Sequence, residues 1–200
     1  MRLYYAPGAC SLSPHIISKE AGIEVELRKV NTKDKSIEGG GDYWKVNPKG
    51  YVPALELDDG TVLTEGPAIV QYLADQKPDA GLAPKAGSIE RYKLQEWLNF
   101  ITSEIHKSFS PLFKPNTPEE YKGIAKENLA TRFAWLDKEL GSREYLTGKF
   151  SVADAYLFTV LNWTKPTKID LAKWPNLVAY LARIGGRPKV KEALKAEGLA

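Results

Sequence analysis

The stretch Met1-Arg-Leu-Tyr-Tyr-Ala-Pro-Gly-Ala-Cys-Ser-Leu-Ser-Pro14 decides how the N-terminal part of the chain folds. The apolar run at residues 3–5 predicts a β-strand, and the Pro-Gly pair that follows ends it. Beyond that pair, Ser11 or Ser13 predicts the N-cap of an α-helix, and Pro14 suits its first turn. A strand followed at once by a helix is typical of an α/β arrangement.

Cys10 is the only cysteine, and it lies at this strand-to-helix junction. Unsatisfied backbone N–H groups and the positive end of the helix dipole favour a thiolate at such a position. The sequence therefore predicts a reactive cysteine, or a site for the thiolate of another molecule. An inert cysteine in the core is the alternative interpretation. A single cysteine excludes an internal disulfide and a thiolate-rich zinc site.

The composition is that of an ordinary globular protein. The 200 residues are 43% hydrophobic and 26% charged, with a net charge of +3. Because the basic residues are spread out rather than clustered, we expect no nucleic-acid or acidic-membrane partner. No apolar run is long enough to span a bilayer, and the N-terminus lacks the pattern of a signal peptide, so we expect a cytoplasmic protein.

Residues 1–80 predict a small mixed α/β domain. Asp58-Asp-Gly60 is typical of a hairpin turn between two strands, and Glu65-Gly-Pro67 is typical of a helix start. A linker rich in proline and glycine follows at residues 77–87. The expected order is strand, helix, strand, a loop or a short helix, strand, strand and helix. These elements are expected at residues 3–5, 14–21, 25–30, 31–45, 52–57, 61–63 and from 65 onward.

Residues 88–200 predict an all-α domain, because no convincing strand pattern occurs there. A long helix is expected from Ser88 to about Phe113. Thr117-Pro-Glu-Glu120 and Ser151-Val-Ala-Asp154 are two capping boxes, each of which predicts a helix start. The helix after Ser151 is apolar on nearly all sides, which is typical of a helix buried inside a bundle. Two shorter helices are expected after Trp174-Pro and Arg187-Pro.

These motifs resemble those of the cytosolic glutathione transferases, specifically the bacterial beta class. The resemblance covers the full length of the chain. It implies a thioredoxin-like first domain, and an all-α helical-bundle second domain that carries an electrophile pocket and dimer contacts. It also implies glutathione as co-substrate, no metal and a homodimer. The motifs that carry it are Leu3-Tyr-Tyr-Ala-Pro-Gly-Ala-Cys-Ser-Leu-Ser-Pro-His15, Val46-Asn-Pro-Lys-Gly-Tyr-Val-Pro-Ala-Leu55, Leu63-Thr-Glu-Gly-Pro-Ala-Ile-Val-Gln-Tyr-Leu73, the helix with Asn99 and His106, and the Ser151–Asp154 box.

In the first domain, the resemblance implies that Cys10 lies beside the sulfur of glutathione and can form a mixed disulfide with it. Pro53 then follows a cis peptide bond, and the backbone of Val52 pairs with the cysteinyl part of the peptide. Glu65 binds the γ-glutamyl amino group, and the backbone N–H of Gly66 binds its carboxylate. Many relatives carry serine where this chain has Gly66, so one hydroxyl donor is missing. Other hydroxyl groups near the thiol stay open as helpers, namely those of Tyr4, Tyr5, Ser11 and Ser13.

Lys35 lies in the polar loop after the second predicted strand. The resemblance implies that a lysine here binds the glycine carboxylate of glutathione, although Lys33 leaves the register open by a residue or two. A solvated lysine is the alternative. For Glu65, the alternative is a side chain that merely complements the helix dipole.

The long helix carries polar residues within an arc of about 100°, when each residue advances the helix by about 100°. The resemblance implies that His106 and Lys107 lie near the thiol and the electrophile. It also implies that Asn99, Ser103 and Glu104 contact glutathione bound to the other subunit. Solvent exposure is the alternative for this face. The polar arc comprises Asn99, Ser103, His106 and Lys107, and the opposite, core-forming face comprises Leu94, Trp97, Leu98, Ile101, Ile105 and Phe109. Candidates for the electrophile pocket are Phe109, Leu112, Phe113 and Trp163.

Three functions fit these residues. The first is a glutathione transferase that conjugates the thiolate to small hydrophobic electrophiles, with Cys10 as a helper. The second is a glutathione-dependent thiol transferase or reductive dehalogenase in which Cys10 is the nucleophile and passes through a mixed disulfide. The third is a non-catalytic binding protein that keeps the fold. The retained Cys10, Glu65, Asn99 and His106 favour an enzyme. Ser151, Asp154 and Pro53 are expected to be structural.

Overall fold

The computed structural model describes all 200 residues, Met1–Ala200, and the chain forms two compact units. The first unit comprises Met1–Ala83 together with Gly186–Ala200, and the second comprises Pro84–Gly185. The C-terminal segment therefore groups with the first unit, whereas the sequence pattern assigned it to the helical domain.

A charge pair and helix packing explain this difference. In the first unit, the C-terminal helix α8 (Pro188–Ala196) packs against α1 (Leu12–Glu20). The Arg187 guanidinium donates two hydrogen bonds, of 2.7 and 2.8 Å, to the Glu20 carboxylate. This bidentate ion pair joins residues that are far apart in the chain, so a local sequence pattern does not reveal it.

The first unit is built on a mixed four-stranded sheet in the order β2-β1-β3-β4. Strand β1 pairs in parallel with β2, whereas β3 pairs antiparallel with both β1 and β4. Helices α1 and α2 complete this thioredoxin-like unit. Its elements besides α8 are β1 (Arg2–Tyr5), α1 (Leu12–Glu20), β2 (Glu26–Lys29), β3 (Ala54–Glu56), β4 (Val62–Thr64) and α2 (Gly66–Gln76).

The second unit is entirely helical, which confirms the predicted fold class. The helix expected from Ser88 to Phe113 is continuous in the chain but not uniform, because its middle turn, Ile101–His106, is a π-helix. The elements are α3 (Ile89–Phe100), the π-helix, α4 (Lys107–Phe113), α5 (Glu119–Leu140), α6 (Val152–Leu161) and α7 (Pro175–Gly185).

Helix α6 forms the centre of the helical unit, as its sequence predicts. Every residue from Val152 to Leu161 is buried. The capping box at its start is confirmed, because the Asp154 carboxylate accepts a hydrogen bond of 2.9 Å from the backbone N–H of Ser151. Burial on all sides and a closed N-terminus make α6 a fixed support for side chains that pack on it.

The capping box predicted at Thr117 is wrong. Helix α5 begins at Glu119, one residue later than the box requires, because Pro118 has an extended backbone (φ −55°, ψ 142°). Thr117 is thereby placed one residue too far from the helix for its hydroxyl to cap it. Trp97 also departs from its predicted core position, since it is only half-buried, against Phe100 and Trp135.

Candidate functional site

Two serine side chains form hydrogen bonds with the backbone of the loop that carries Cys10. The Ser11 hydroxyl accepts a hydrogen bond from the Ala6 N–H (3.1 Å) and donates one to the Ala6 carbonyl (3.2 Å). The Ser13 hydroxyl donates to the Cys10 carbonyl at 2.9 Å. Ser11 is the N-cap residue of α1, as predicted, but its side chain makes no capping hydrogen bond. Both hydroxyls instead fix the backbone on either side of the cysteine.

The thiol of Cys10 points toward the loop before β3. Its Sγ donates a hydrogen bond to the carbonyl of Val52 at 3.1 Å, and the Val52–Pro53 peptide bond is cis, as predicted. This contact joins the cysteine to the loop with the cis peptide bond, and the expected thiolate stays a prediction. The side chain is partly exposed, which also argues against an inert core cysteine.

Two backbone donors on either side of Pro53, one adjacent in the chain and one in space, have no acceptor in the protein. The N–H of Val52 makes no hydrogen bond, and neither does that of Gly66, which is the first residue of α2. The first N–H groups of a helix lack partners within the helix and attract anions. Val52 and Gly66 therefore offer donors to an extended, negatively charged ligand. An added Cβ at Gly66 would lie 3.9 Å from Pro53, an ordinary contact, so the missing serine is not excluded by space.

Glu65 immediately precedes α2 in a left-handed backbone conformation (φ 70°). Its exposed carboxylate accepts a hydrogen bond from Lys49 Nζ, which also donates to the Thr64 hydroxyl at 2.8 Å. Glu65 is therefore more than a complement to the helix dipole, since a specific cation orients it. Lys49 was not singled out from the sequence. The signal that could have found it is its position in Asn47-Pro-Lys-Gly50, directly before Val52 and Pro53.

Lys35 is bound to its own loop. Its Nζ donates to the carbonyl of Thr32 at 2.6 Å and lies 5.8 Å from the centre of the Trp44 ring. Lys35 also has a left-handed backbone conformation (φ 64°). The loop thus presents a positive charge near an aromatic ring, and a positive charge is suited to binding a carboxylate.

The Tyr4 hydroxyl, one of the open helper candidates, is already engaged. It donates a hydrogen bond of 2.7 Å to Glu56. Burial, and next the hydrogen bond to Glu56, raise the pKa of Tyr4 to about 12. The phenol therefore stays protonated at neutral pH, and its proton is directed to Glu56.

In the helical unit, the predicted polar face separates into two parts. Asn99, Ser103 and Lys107 are exposed, whereas His106 is half-buried. A π-helix has more residues per turn than an α-helix, so an arc computed at 100° per residue does not apply to residues 101–106. Glu104 on this helix forms an ion pair of 2.7 Å with Arg132.

His106 faces aromatic residues. Its ring lies edge-on to Trp163, with the ring centres 4.8 Å apart, and its Nδ1 lies 2.6 Å from the hydroxyl of Tyr156. Trp163 also meets Phe109 and Phe113 edge-on, at 5.7 and 5.6 Å. Three of the four pocket candidates are therefore brought together beside His106. Leu112 is half-buried on the same helix as Phe113.

Tyr156 is the second residue that the sequence analysis did not single out for the site. It lies within the apolar α6 and is 2% exposed. The apolar pattern of that helix includes it among the core residues. A tyrosine among apolar residues is nevertheless a signal, because a buried phenol needs a hydrogen-bond partner.

Two further features were searched for in the structure, a cluster of metal-ligating side chains and a membrane-spanning helix. No group of three or more His, Cys, Asp or Glu side chains is placed to hold a metal ion. None of the helices combines the length and the apolar character that crossing a bilayer demands.

Comparisons with known proteins agree for both units. The family model for the glutathione S-transferase N-terminal domain matches residues 8–76, and that for the C-terminal domain matches residues 100–188. Glutathione S-transferase GstA of Escherichia coli O157:H7 is 50% identical over 200 residues, which is 100% of each chain.

Solved structures with the same fold cover the whole chain. The glutathione S-transferase of a sphingomonad, complexed with glutathione, is 51% identical and superposes with a TM-score of 0.97 over 100% of both chains. A bacterial beta-class glutathione S-transferase from Sphingomonas chungbukensis is 50% identical, with a TM-score of 0.97 over 100% of both chains.

Proposed function

The chain belongs to the bacterial beta class of the glutathione S-transferase family, and from this premise we propose that it conjugates glutathione to small hydrophobic electrophiles. The observation that carries the proposal is the unpaired N–H of Val52 beside the thiol of Cys10. An extended peptide with a central cysteine can pair its backbone with Val52 and place its own sulfur next to Cys10.

The γ-glutamyl end of glutathione carries a carboxylate and an ammonium group, and the start of α2 offers a partner for each. The Gly66 N–H is suited to the carboxylate, because it is an open donor at a helix N-terminus. The Glu65 carboxylate is suited to the ammonium group. Lys49, which Glu65 already contacts, orients that carboxylate before the ligand binds.

In the proposed reaction the glutathione thiol first loses its proton to solvent. The thiolate then attacks an electrophilic carbon and forms a carbon–sulfur bond. The bond between that carbon and the leaving group breaks, and the leaving group departs with its electron pair. Cys10 takes part as a neighbour rather than as the nucleophile. Its S–H donates to the Val52 carbonyl, which has a second lone pair for the cysteinyl N–H of the bound peptide.

The roles of Lys35 and of the residues in the helical unit are proposed from the family resemblance and from the chemistry of their side chains. Lys35 binds the glycine carboxylate of glutathione. Asn99, Ser103 and Glu104 contact the peptide in a homodimer, and His106 and Lys107 assist the reacting groups. Phe109, Phe113 and Trp163 line the electrophile pocket, and their aromatic contacts support that role. A cytoplasmic location and a role in detoxification are predictions of the same kind.

The replacement Cys10→Ala tests the proposal against thiol transfer or reductive dehalogenation through a mixed disulfide. We expect the variant to conjugate an activated aryl halide at a rate within about threefold of the wild type, since one neutral hydrogen bond is lost. We also expect it to form no mixed disulfide when it is exposed to glutathione disulfide. Steady-state kinetics and the intact mass of the protein measure the two results.

Cys10→Ser is the matched control, because it keeps a hydrogen-bond donor for Val52 but cannot form a disulfide. Loss of conjugation in both variants would show that Cys10 is the nucleophile. A wild-type chain that binds no glutathione in calorimetry would instead support the third possibility, a non-catalytic binding protein.

A further inference from the structure

The Lys49 side chain links the turn before Val52 to the start of α2. Its Nζ donates one hydrogen bond to the Thr64 hydroxyl at 2.8 Å and another to Oε1 of Glu65. The side chains of this ion pair are 50% exposed for Lys49 and 70% exposed for Glu65. An ion pair at the surface adds little to stability, so its effect on the Glu65 carboxylate matters more than its contribution to folding.

The turn that carries Lys49 is held in place by a buried amide. Asn47, which is 2% exposed, accepts a hydrogen bond from the Lys49 N–H at 3.1 Å and donates one to the Tyr51 carbonyl at 2.7 Å. The same carbonyl accepts a hydrogen bond of 2.8 Å from the Tyr43 hydroxyl. The backbone of Lys49 is therefore fixed, and its side chain extends from a defined position.

The Glu65 carboxylate has one oxygen bound and one open. Oε1 accepts the hydrogen bond from Lys49, whereas Oε2 accepts none. Glu65 also has a backbone conformation that residues other than glycine rarely adopt (φ 70°, ψ 113°), and such conformations concentrate at ligand-binding sites. A carboxylate that is already held through Oε1 loses less side-chain freedom when a cation binds at Oε2.

The positive charge of Lys49 does not cancel the attraction of Glu65 for a ligand ammonium group. An ammonium group that binds Oε2 is nearer to the carboxylate than to Lys49 Nζ, and the interaction between charges weakens with distance. The γ-glutamyl end of glutathione also carries a carboxylate, for which the Gly66 N–H is an open donor. The charges of Lys49, Glu65, the ligand ammonium group and the ligand carboxylate therefore alternate in sign.

We propose that Lys49 makes this site selective for peptides with a free α-amino group, because it holds the Glu65 carboxylate through Oε1 and leaves Oε2 for the ammonium group. Lys49 is a positioning residue and does not itself contact the peptide. The inference rests on the proposed function for the identity of the ligand. It requires that the affinity gained from Lys49 disappears when the ligand has no α-amino group.

Calorimetry with two ligands tests this requirement. The first is S-methylglutathione, which cannot form a disulfide with Cys10, and the second is its analogue with hydrogen in place of the α-amino group. Lys49→Met keeps the length of the side chain and removes the charge. We expect this variant to raise the Kd of S-methylglutathione by about fivefold, the effect of an unordered Glu65 side chain. The Kd of the analogue is expected to stay within about 1.5-fold of the wild-type value.

Two further variants serve as rescue and control. Lys49→Arg keeps a cation for Glu65, and we expect its Kd for S-methylglutathione to lie within about twofold of the wild type. Lys45→Met removes an exposed lysine at the end of the short 3₁₀-helix Tyr43–Lys45, and both affinities should be unchanged. At saturating glutathione, kcat of Lys49→Met for an aryl halide should also stay within about twofold, since the change affects binding rather than the reacting groups.

The two ligands separate the possible roles of Lys49. Equal weakening of both ligands in Lys49→Met would show that Lys49 contacts the peptide directly, and tighter binding of S-methylglutathione would show that it competes with the ammonium group. Either result, or unchanged affinities, overturns the proposal. If the wild type binds S-methylglutathione but conjugates no electrophile, the proposed function falls, whereas calorimetry still decides the role of Lys49. A wild type that binds neither ligand overturns both.

Discussion

Each unit of the chain buries one carboxylate, and the two are held in different ways. Asp154 lies in the helical unit and accepts hydrogen bonds only from uncharged groups. Glu197 lies at the end of α8 in the first unit, and one of its partners is a histidine. Both side chains are fully buried, so each depends on its partners for the solvation that water would otherwise supply.

The partners of Asp154 come from three places in the helical unit. Its carboxylate accepts from the N–H and the hydroxyl of Ser151, from the N–H of Leu146 and from the hydroxyl of Tyr180, at 2.8 to 2.9 Å. Burial raises the pKa of Asp154, and these four donors oppose that rise. The carboxylate thereby joins the start of α6 to the preceding loop and to α7.

The partners of Glu197 lie at the other end of the chain. One carboxylate oxygen is 2.8 Å from Nδ1 of the buried His15, and the other accepts from the N–H of Gly8 at 2.9 Å. Gly8 is two residues before Cys10. The C-terminal segment therefore holds the loop that carries the thiol, whereas Asp154 holds the helix that carries Tyr156. The difference shows that one carboxylate holds a loop backbone in the first unit and the other holds a helix start in the second unit.

The largest effect is expected for Asp154→Ala. The variant leaves four donors from three residues buried without an acceptor, and each such group costs about 1 to 3 kcal/mol. We expect the free energy of unfolding to fall by about 4 kcal/mol in chemical denaturation. Asp170→Ala, which removes an exposed carboxylate from the same unit, is the control and should change stability by less than about 0.5 kcal/mol. Equal effects of both changes would contradict the role assigned to Asp154.

A smaller effect is expected for Glu197→Gln. The amide keeps the shape and one acceptor, but its NH₂ group then faces either His15 or the Gly8 N–H. Loss of one charge-assisted hydrogen bond is expected to cost about 2 kcal/mol. Hydrogen exchange should show faster exchange of the Gly8 amide, since its acceptor is weakened.

Glu192→Gln provides the control on the same helix. Glu192 pairs with Lys189 at the surface, where both side chains are about half exposed. An exposed pair contributes little to stability, so we expect a change below about 0.5 kcal/mol and no effect on the Gly8 amide. Protection of Gly8 that is unaltered in Glu197→Gln would show that the C-terminal segment does not hold the loop.

The two carboxylates also show what the sequence could predict. The Ser151–Asp154 box was predictable because its partners are three residues apart, and the order of strands and helices followed from local patterns in the same way. The pairing of Glu197 with His15 and Gly8 spans 182 and 189 residues. No local pattern contains such a contact, and this is why the sequence did not indicate that the helix before Glu197 packs against α1.

The candidate site residues also differ in whether local or distant contacts place them. Backbone conformation at a turn and at a helix start places Val52, Pro53, Glu65 and Gly66, and proline and glycine mark both features in the sequence. The hydrogen bond of Tyr156 to His106 depends on a π-helix and on packing between helices. Residue types alone did not indicate either feature, and the uniform 100° spacing placed His106 on a common face with Asn99 that the π-helix divides.

The smallest effect is expected for Ser151→Ala. The Ser151 hydroxyl donates to Asp154 at 2.8 Å, and its loss leaves the other donors to Asp154 in place. We expect the free energy of unfolding to fall by about 1 kcal/mol, the usual contribution of a side chain at a helix start. Thermal and chemical denaturation should give the same ranking, with Asp154→Ala well below Ser151→Ala in stability.

Thr117→Ala is the matched control for Ser151→Ala, because both residues were predicted to cap a helix and only Ser151 does. The Thr117 hydroxyl makes no hydrogen bond in the structure, and α5 begins two residues after it. We therefore expect a change of less than about 0.5 kcal/mol. A fall of about 1 kcal/mol in the free energy of unfolding of Thr117→Ala would show that Thr117 does cap α5, as the sequence pattern predicts. The contrast between locally held and distantly held groups would then need another explanation.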